Sequence, residues 1–332
     1  MNHHGFYPKT RLRRLRQTRA LRDLIRETHL DVKDLVMPLF IKHGSGIKNP
    51  ILSMPGQFQI SIDQLEEEIK TITSLGITNV LLFGIPEHKD ALGQDSYSDH
   101  GIIQTAIPVI KRIAPDLLVT SDICFCEYTH HGHCGVLTNT HDLDNDKTLA
   151  LLVKQAVSHA QAGTDIIAPS GMIDGMVHAI REGLDHAGFQ HLPIMSYSVK
   201  YSSALYGPFR QAAEGVPQFG DRSTHMMDIA NGREALRECA LDIAEGADML
   251  MVKPAHTYLD VISCVKQNFP ELPLGAYHTS AEFAMIKAAA QNGWINEQNV
   301  ALEVLTAMRR AGADFIITYY AKEAAMWLNA LS

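Results

Sequence analysis

Residues 121–135 read SDICFCEYTHHGHCG and set Cys124, Cys126 and Cys134 among His130, His131 and His133. A disulfide between Cys124 and Cys126 is disfavoured, because strand neighbours two residues apart have poor geometry for a bridge. The spacing Cys-x-Cys-x7-Cys also differs from the paired Cys-x2–4-Cys units of zinc fingers and ribbons. Three thiolates still make a zinc shell, and the spacing favours a bound metal over plain buried thiols. Two versions stay open: a histidine closes the shell, or the fourth position is left to water or substrate. Three thiolates on a dication leave a net charge of about −1. Such a zinc is suited to orienting a carbonyl or an amine rather than to generating hydroxide. Cys239 and Cys264 fall in helical patterns and read as ordinary small apolar side chains.

Two lysines form the second constellation. Lys200 ends PIMSYSVK and Lys253 interrupts DMLMVKP, both apolar, strand-like runs. A single lysine in such a place can snorkel its ammonium to the rim. A pair in one barrel asks for more. At pH 7 about one free lysine in 2,500 is the neutral nucleophile. Desolvation and a neighbouring cation both disfavour the ammonium and lower its pKa. The chemistry of such a lysine is imine formation with a ketone or aldehyde, and two suggest two carbonyl molecules side by side. Beyond Lys200, the glycine-rich stretch YSSALYGPFRQAAEGVPQFGDRSTHMMD carries Arg210 and Arg222 and reads as a mobile lid. Arginine forks bind carboxylates, so the substrate class is a keto acid.

The elements that would hold these groups repeat. Strand-like runs lie at 35–41, 79–85, 117–123, 165–170, 193–199, 248–254, 273–279 and 315–321. Amphipathic stretches separate them, and several stop at a glycine: Gly76, Gly163, Gly246 and Gly312. GTDIIAP, GADMLMV and GADFIIT share one cadence of helix end, tight turn and buried parallel strand. Eight such units predict an α/β fold, a (β/α)8 barrel, over residues 34–332, preceded by an arm at 1–33. No dinucleotide-binding fingerprint follows any strand. Chemistry then belongs at the carboxyl ends of the strands. Asp122, Cys124, Ser170, Lys200, Lys253, Ser280 and Tyr319 all fall there, on six different strands.

Composition excludes several classes. The 332 residues are 46% hydrophobic and 20% charged, with a formal net charge of −8, which argues against nucleic acid as a partner. No apolar run approaches the ~20 residues that span a bilayer, and the start lacks a secretory signal core. An odd count of five cysteines fits a reducing cytoplasm. The arginine-rich run RLRRLRQTRALRDLIRE reads as an arm docking on its own fold or on a neighbouring subunit, with part of it one side of a helix.

SDICFCEYTHHGHCG, APSGMIDG, MSYSVKYSSALYGPFR, GDR, MLMVKPAHTYLD and RAGADFIITYYAKEAA together resemble the 5-aminolevulinate dehydratase family, also called porphobilinogen synthases, over nearly the whole chain. The resemblance implies a (β/α)8 barrel with an arm that wraps a neighbour, usually in a homo-octamer. It implies condensation of two 5-aminolevulinate molecules, with loss of two waters, to porphobilinogen for heme and other tetrapyrroles. By motif, Lys253 would form the Schiff base with the P-side substrate and Lys200 that with the A-side one. Arg210 and Arg222 would hold the A-side carboxylate, and Ser280 and Tyr319 the P-side carboxylate. Asp122 and Ser170 would meet the P-side amine, with Asp122 also aiding proton transfer. Cys124, Cys126 and Cys134 would bind catalytic zinc, and Glu238 would match a glutamate that binds stimulatory magnesium at subunit contacts.

One departure bears on binding. Where the family has Tyr-Gln-Met-Asp after GDR, this chain has His225, Met226, Met227 and Asp228. Losing the glutamine's hydrogen bond costs ~1 kcal/mol and implies weaker A-side affinity. Thr279 and Ala281 replace a valine and a glycine and look tolerable. Two other classes compete: a one-lysine aldolase-type lyase on the same fold, and a zinc-binding scaffold without catalysis.

Overall fold

The computed structural model describes residues 5–331. Its strands are β1 (Leu35–Lys42), β2 (Lys48–Pro50), β3 (Phe58–Ile60), β4 (Asn79–Ile85), β5 (Leu118–Ile123), β6 (Ile166–Pro169), β7 (Met195–Lys200), β8 (Met249–Lys253), β9 (Leu274–His278) and β10 (Phe315–Thr318). Its helices are α1 (Arg19–Leu24), α2 (Leu65–Ser74), α3 (Ile102–Ile113), α4 (Asn145–Ala162), α5 (Met176–His186), α6 (Gly207–Ala212), α7 (Glu234–Glu245), α8 (Leu259–Asn268), α9 (Ser280–Gln291), α10 (Glu297–Ala311) and α11 (Ala321–Leu331). Eight parallel strands run β6-β5-β4-β1-β10-β9-β8-β7, while the β2–β3 hairpin adds to the end of β1. The ring is nearly closed. Its β6–β7 seam is held by one bridge, Ile167 to Ile194, with the Ile167 N–H donating to the Pro193 carbonyl at 3.1 Å.

The recurring Gly-x-Asp turns have a structural job. All four helix-ending glycines have positive φ, which releases the chain from the helix without Cβ strain. The aspartate two residues later reaches to the adjacent strand. Asp165 accepts from the Val119 N–H, Asp248 from the Ile194 N–H and Asp314 from the Leu274 N–H, each at 2.8 Å. Each carboxylate thus satisfies a backbone donor at the amino-terminal rim of the barrel. Lys111 and Lys266 pair with Asp165 and Asp314.

The last strand is shorter than the apolar run 315–321 predicts. Tyr319 and Tyr320 form a turn and α11 begins at Ala321, so the run spans a strand and the start of a buried helix. The lid stretch is likewise not all loop, since it contains α6. The arm is also broken. A 3-10 turn at Leu12–Arg16 gives way to α1, whose start is capped by Thr18 accepting from the Leu21 N–H. Neither piece buries a residue, and Leu12, Leu15, Leu24 and Ile25 are exposed. No helix among the described residues is long and apolar enough to cross a membrane.

Removing one of the aspartate ties is expected to weaken the barrel without touching the opposite rim. Asp165→Ala should lower stability by about 1–3 kcal/mol, since it orphans the Val119 N–H. Urea unfolding measures this, and an unchanged midpoint would show that the tie is dispensable.

Candidate active site

A β-bulge sets the site. Between β7 and β8 the register steps from Ser196–Leu250 to Val199–Val252, so β7 carries one extra residue and then pairs Lys200 with Lys253. In an unbroken strand, residues three apart face opposite sides. The bulge lets Tyr197 and Lys200 face the barrel interior together, with the Lys200 Nζ 5.8 Å from the Tyr197 ring centroid. Both lysines are 5% exposed.

Lys253 stands on an aromatic floor. Its Nζ is 4.0 Å from the centroid of Tyr277, 5.1 Å from Phe209, 5.2 Å from Tyr197 and 5.4 Å from Tyr206. These rings exclude water, although their faces attract a cation. Burial first, and then the charge of Lys200, pull the Lys253 pKa down to about 7. Lys200 instead donates to the Ser170 carbonyl at 2.5 Å. The Ser170 hydroxyl donates to Asp122 Oδ2 at 3.0 Å, so Ser170 links the sixth and seventh strands to Asp122 on β5. Burial and nearby Glu127 push the Asp122 carboxyl upward. Asp122 and Lys253 are thus driven toward their neutral forms by the same dry surroundings.

Cys124, Cys126 and Cys134 converge. All are buried free thiols, and their sulfurs lie within 4.8 Å of one another, with Cys124 and Cys126 at 3.4 Å. The donor set suits a thiophilic divalent metal such as zinc. For Cys134, contact with Cys124 lowers and contact with Cys126 raises the pKa, and burial carries it up to about 11. Three such thiols ionise together only beside a cation. The histidines do not join them. His131 and His133 aim their ring nitrogens at the carbonyls of Ala91 (3.2 Å) and Phe219 (3.0 Å), and among the described residues no histidine belongs to the cysteine group. Met226 and Tyr206 form one buried apolar cluster with the three cysteines. Met226 therefore lines the cysteine site rather than facing solvent.

The glycine-rich segment after α6 is docked onto the cysteine loop. The Gln218 N–H donates to the His131 carbonyl at 3.1 Å, while Arg222 donates to the Gly132 and Gly215 carbonyls at 2.8 and 2.9 Å. Gly132 has φ +72, and a Cβ there would meet the Val216 carbonyl oxygen at 2.4 Å. This close approach brings Arg222, 3% exposed, beside the cysteines. The Nε atoms of Arg210 and Arg222 are both buried without a partner, leaving donors for an anion. Burial and the charge of Arg222 lower the pKa of Arg210.

Ser280 and Tyr319 are hydrogen-bonded to two of the aromatic residues that surround Lys253, Phe209 and Tyr277. Ser280 opens α9 and accepts from the Phe209 N–H at 2.9 Å. The Tyr319 hydroxyl shares a 3.1 Å hydrogen bond with that of Tyr277, whose ring underlies Lys253. Glu238 lies apart from the lysines, on α7, in the wall of a cavity of about 450 Å³ with Asp142, Asp174 and Glu234. Burial and then Asp242, Glu234 and Asp174 raise it to about 7. The sequence reading missed the aromatic floor, for which strand alternation was the available signal. It also missed Glu127, buried at 2% exposure beside Asp122 and Cys124.

The sequence profile of the delta-aminolevulinic acid dehydratase family matches residues 9–327. The chain belongs to the delta-aminolevulinic acid dehydratase family. It is 55% identical over 327 residues to the enzyme of that name from Synechocystis sp., covering 97% of this chain and 99% of the relative. The Bacillus subtilis protein of that name is 54% identical over 318 residues, covering 96% and 98%. A solved Toxoplasma gondii delta-aminolevulinic acid dehydratase (porphobilinogen synthase), in complex with its reaction product porphobilinogen, superposes with a TM-score of 0.94 at 43% identity. That match covers 97% of this chain and 92% of the other. A structure described as QR15, an aldolase, shares 14% identity at a TM-score of 0.50, a likeness of fold alone. As a family member the chain is a hydro-lyase on an eight-stranded α/β barrel.

The packing at Gly132 predicts that Gly132→Ala frees the segment that carries Arg222. Limited trypsin digestion should cut after Arg222 faster in the variant, and activity should fall. An unaltered cleavage rate would mean that the segment is not held at this point.

Proposed function

We propose the following division of labour for porphobilinogen synthesis, in which two 5-aminolevulinate molecules condense with loss of two waters. One observation carries it: Lys200 and Lys253 occupy paired positions on adjacent strands, their amines 5.8 and 5.2 Å from the Tyr197 ring centroid, and Lys253 rests on a floor of aromatic rings. The neutral Lys253 amine adds to the keto carbon of the P-side molecule, and loss of water leaves an imine. Lys200 does the same for the A-side molecule, giving up the Ser170 carbonyl. Arg210 and Arg222 hold the A-side carboxylate, and Ser280 and Tyr319 the P-side one. Asp122 and Ser170 receive the P-side amine, and Asp122, raised toward neutrality, exchanges protons with the reacting carbons.

Cys124, Cys126 and Cys134 would hold zinc, which when bound supplies a cationic anchor for the A-side carbonyl or amine. Among the described residues no histidine belongs to the cysteine group, which favours an open position over a closed structural site. For magnesium we assign Glu238, on the strength of its acidic, half-buried surroundings. Residues 1–33 serve as an oligomer arm on the 34–332 barrel, in a cytoplasmic homo-oligomer, an octamer by family habit. The uncovered leucines of the arm support that reading.

A one-lysine lyase leaves Lys200 and the cysteines without a task, and a scaffold leaves the dry Lys253 without one. Borohydride trapping with 5-aminolevulinate, mapped by mass spectrometry, tests the assignment. Because the Lys253 pKa is lowered, its reactive neutral form should appear as pH rises through about 7. Labelling that begins only near the ordinary lysine value of ~10.4, or none at all, would refute the role. Lys253→Ala should form no pyrrole. Chelation should abolish pyrrole formation and added zinc restore it, and turnover that resists chelation would end the metal assignment.

A further inference from the structure

The β8–β9 ladder ends at the pair Val252–Ala276, just short of Lys253. Beyond it the two strands run into separate loops, and Ser280 stands on the β9 side at the start of α9. That ladder therefore does not set the distance between the Lys253 amine and the Ser280 hydroxyl. Glu282, in the first turn of α9 and 0% exposed, bridges the gap. Its Oε2 accepts from the Thr279 N–H at 2.6 Å and from the Thr279 hydroxyl at 3.0 Å, as a helix cap does. Its Oε1 instead accepts from the His256 N–H at 2.7 Å, on the loop that follows Lys253.

A local cap needs only one of these oxygens. Complete burial of a carboxylate is unfavourable unless donors meet it. Here the donors include two backbone N–H groups from different βα loops. Hydrogen bonds to an ionised carboxylate are short and strong, so the two loops are held in one geometry. Lys253 is secured without this tie. It pairs with Lys200 on β7, and its carbonyl accepts from the Tyr201 N–H at 3.0 Å and the Tyr206 hydroxyl at 3.2 Å. What Glu282 fixes is the start of α9, and with it Ser280, against the end of β8. Ser280 accepts from the Phe209 N–H, which leaves its own proton to donate.

We infer that Glu282 is a positioning residue that sets the span between Lys253 and Ser280, so that one keto acid reaches both. This rests on the reading of those two residues as anchors for the keto carbon and the carboxylate of the same molecule. Glu282 touches neither end of the substrate and acts through the loop that carries each anchor.

The test is borohydride trapping on full-length, zinc-loaded protein, with labelling read at Lys253 by mass spectrometry. Two ketones of equal chain length are compared: 4-oxopentanoate, and 2-pentanone, in which a methyl group replaces the carboxylate. In the unsubstituted protein the acid should half-saturate Lys253 at a concentration roughly tenfold or more below that of 2-pentanone. In Glu282→Gln the side-chain amide can accept from only one of the two loops. The half-saturating concentration of the acid should then rise on the order of tenfold, the worth of a charged hydrogen bond, while that of 2-pentanone stays put. The unmoved ketone also shows that the variant is folded with its lysine still dry. Glu282→Asp, too short to span both loops, should show the same split and carries the test if Glu282→Gln does not fold. Equal changes for both ketones, as a merely structural carboxylate would produce, or an unchanged value for the acid, would overturn the inference. Failure of the unsubstituted protein to prefer the acid would instead remove the carboxylate role of Ser280, and this inference with it.

Discussion

Everything at the carboxyl rim depends on keeping one amine dry. Lys253 loses its water to four aromatic rings and receives a second positive charge across the strand pair. Those rings come from distant parts of the chain: Tyr197 on β7, Tyr277 on β9, and Tyr206 and Phe209 at and within α6. They continue into a layer formed by Phe40, Phe83 and Tyr319, with Phe83 and Phe209 edge to face at 4.9 Å. The packed barrel core and the desolvation of the lysine are thus one construction. A cavity in that layer would admit water and return the amine to its ordinary basicity.

The second half of the site is built from loops pressed together. The cysteine loop and the segment after α6 contribute little regular structure, yet backbone hydrogen bonds and two glycine contacts fix their mutual position. Gly215 sits so close that a Cβ would meet the Cys126 carbonyl at 2.8 Å. The same docking that buries Arg222 therefore encloses the thiols. Met226 belongs to that enclosure, so its thioether is more than a missing hydrogen bond: it supplies a soft, apolar wall to a sulfur-rich site.

Much of this was legible in the sequence, for identifiable reasons. Lysines in apolar strand-like runs stand out because burying an ammonium is unfavourable without a purpose, and the three cysteines stand out by their close spacing. The glycine-aspartate cadence marked the helix-to-strand turns, though not that the aspartates tie neighbouring strands. The end of the last strand was not legible, because FIITYYA stays apolar while the backbone changes from strand to turn to helix. Nor was the β7 bulge, whose effect is to turn Lys200 inward beside Tyr197. Spacing could not decide among three histidines, since only the folded loop shows two of them bonded to carbonyls. Glu127 escaped because a glutamate beside a tyrosine in a loop reads as solvated.

The weakest join in the barrel has a chemical dimension. Between β6 and β7 the ladder is a single bridge, and above it the Lys200 ammonium spans the gap to the Ser170 carbonyl. An ammonium has three protons to share, whereas an iminium nitrogen keeps one. On the assignment proposed above, linking a keto acid to Lys200 would take donors from this clasp, and with them part of what joins β6 to β7 at that edge. Chemistry at this residue would then bear directly on how firmly the barrel is closed.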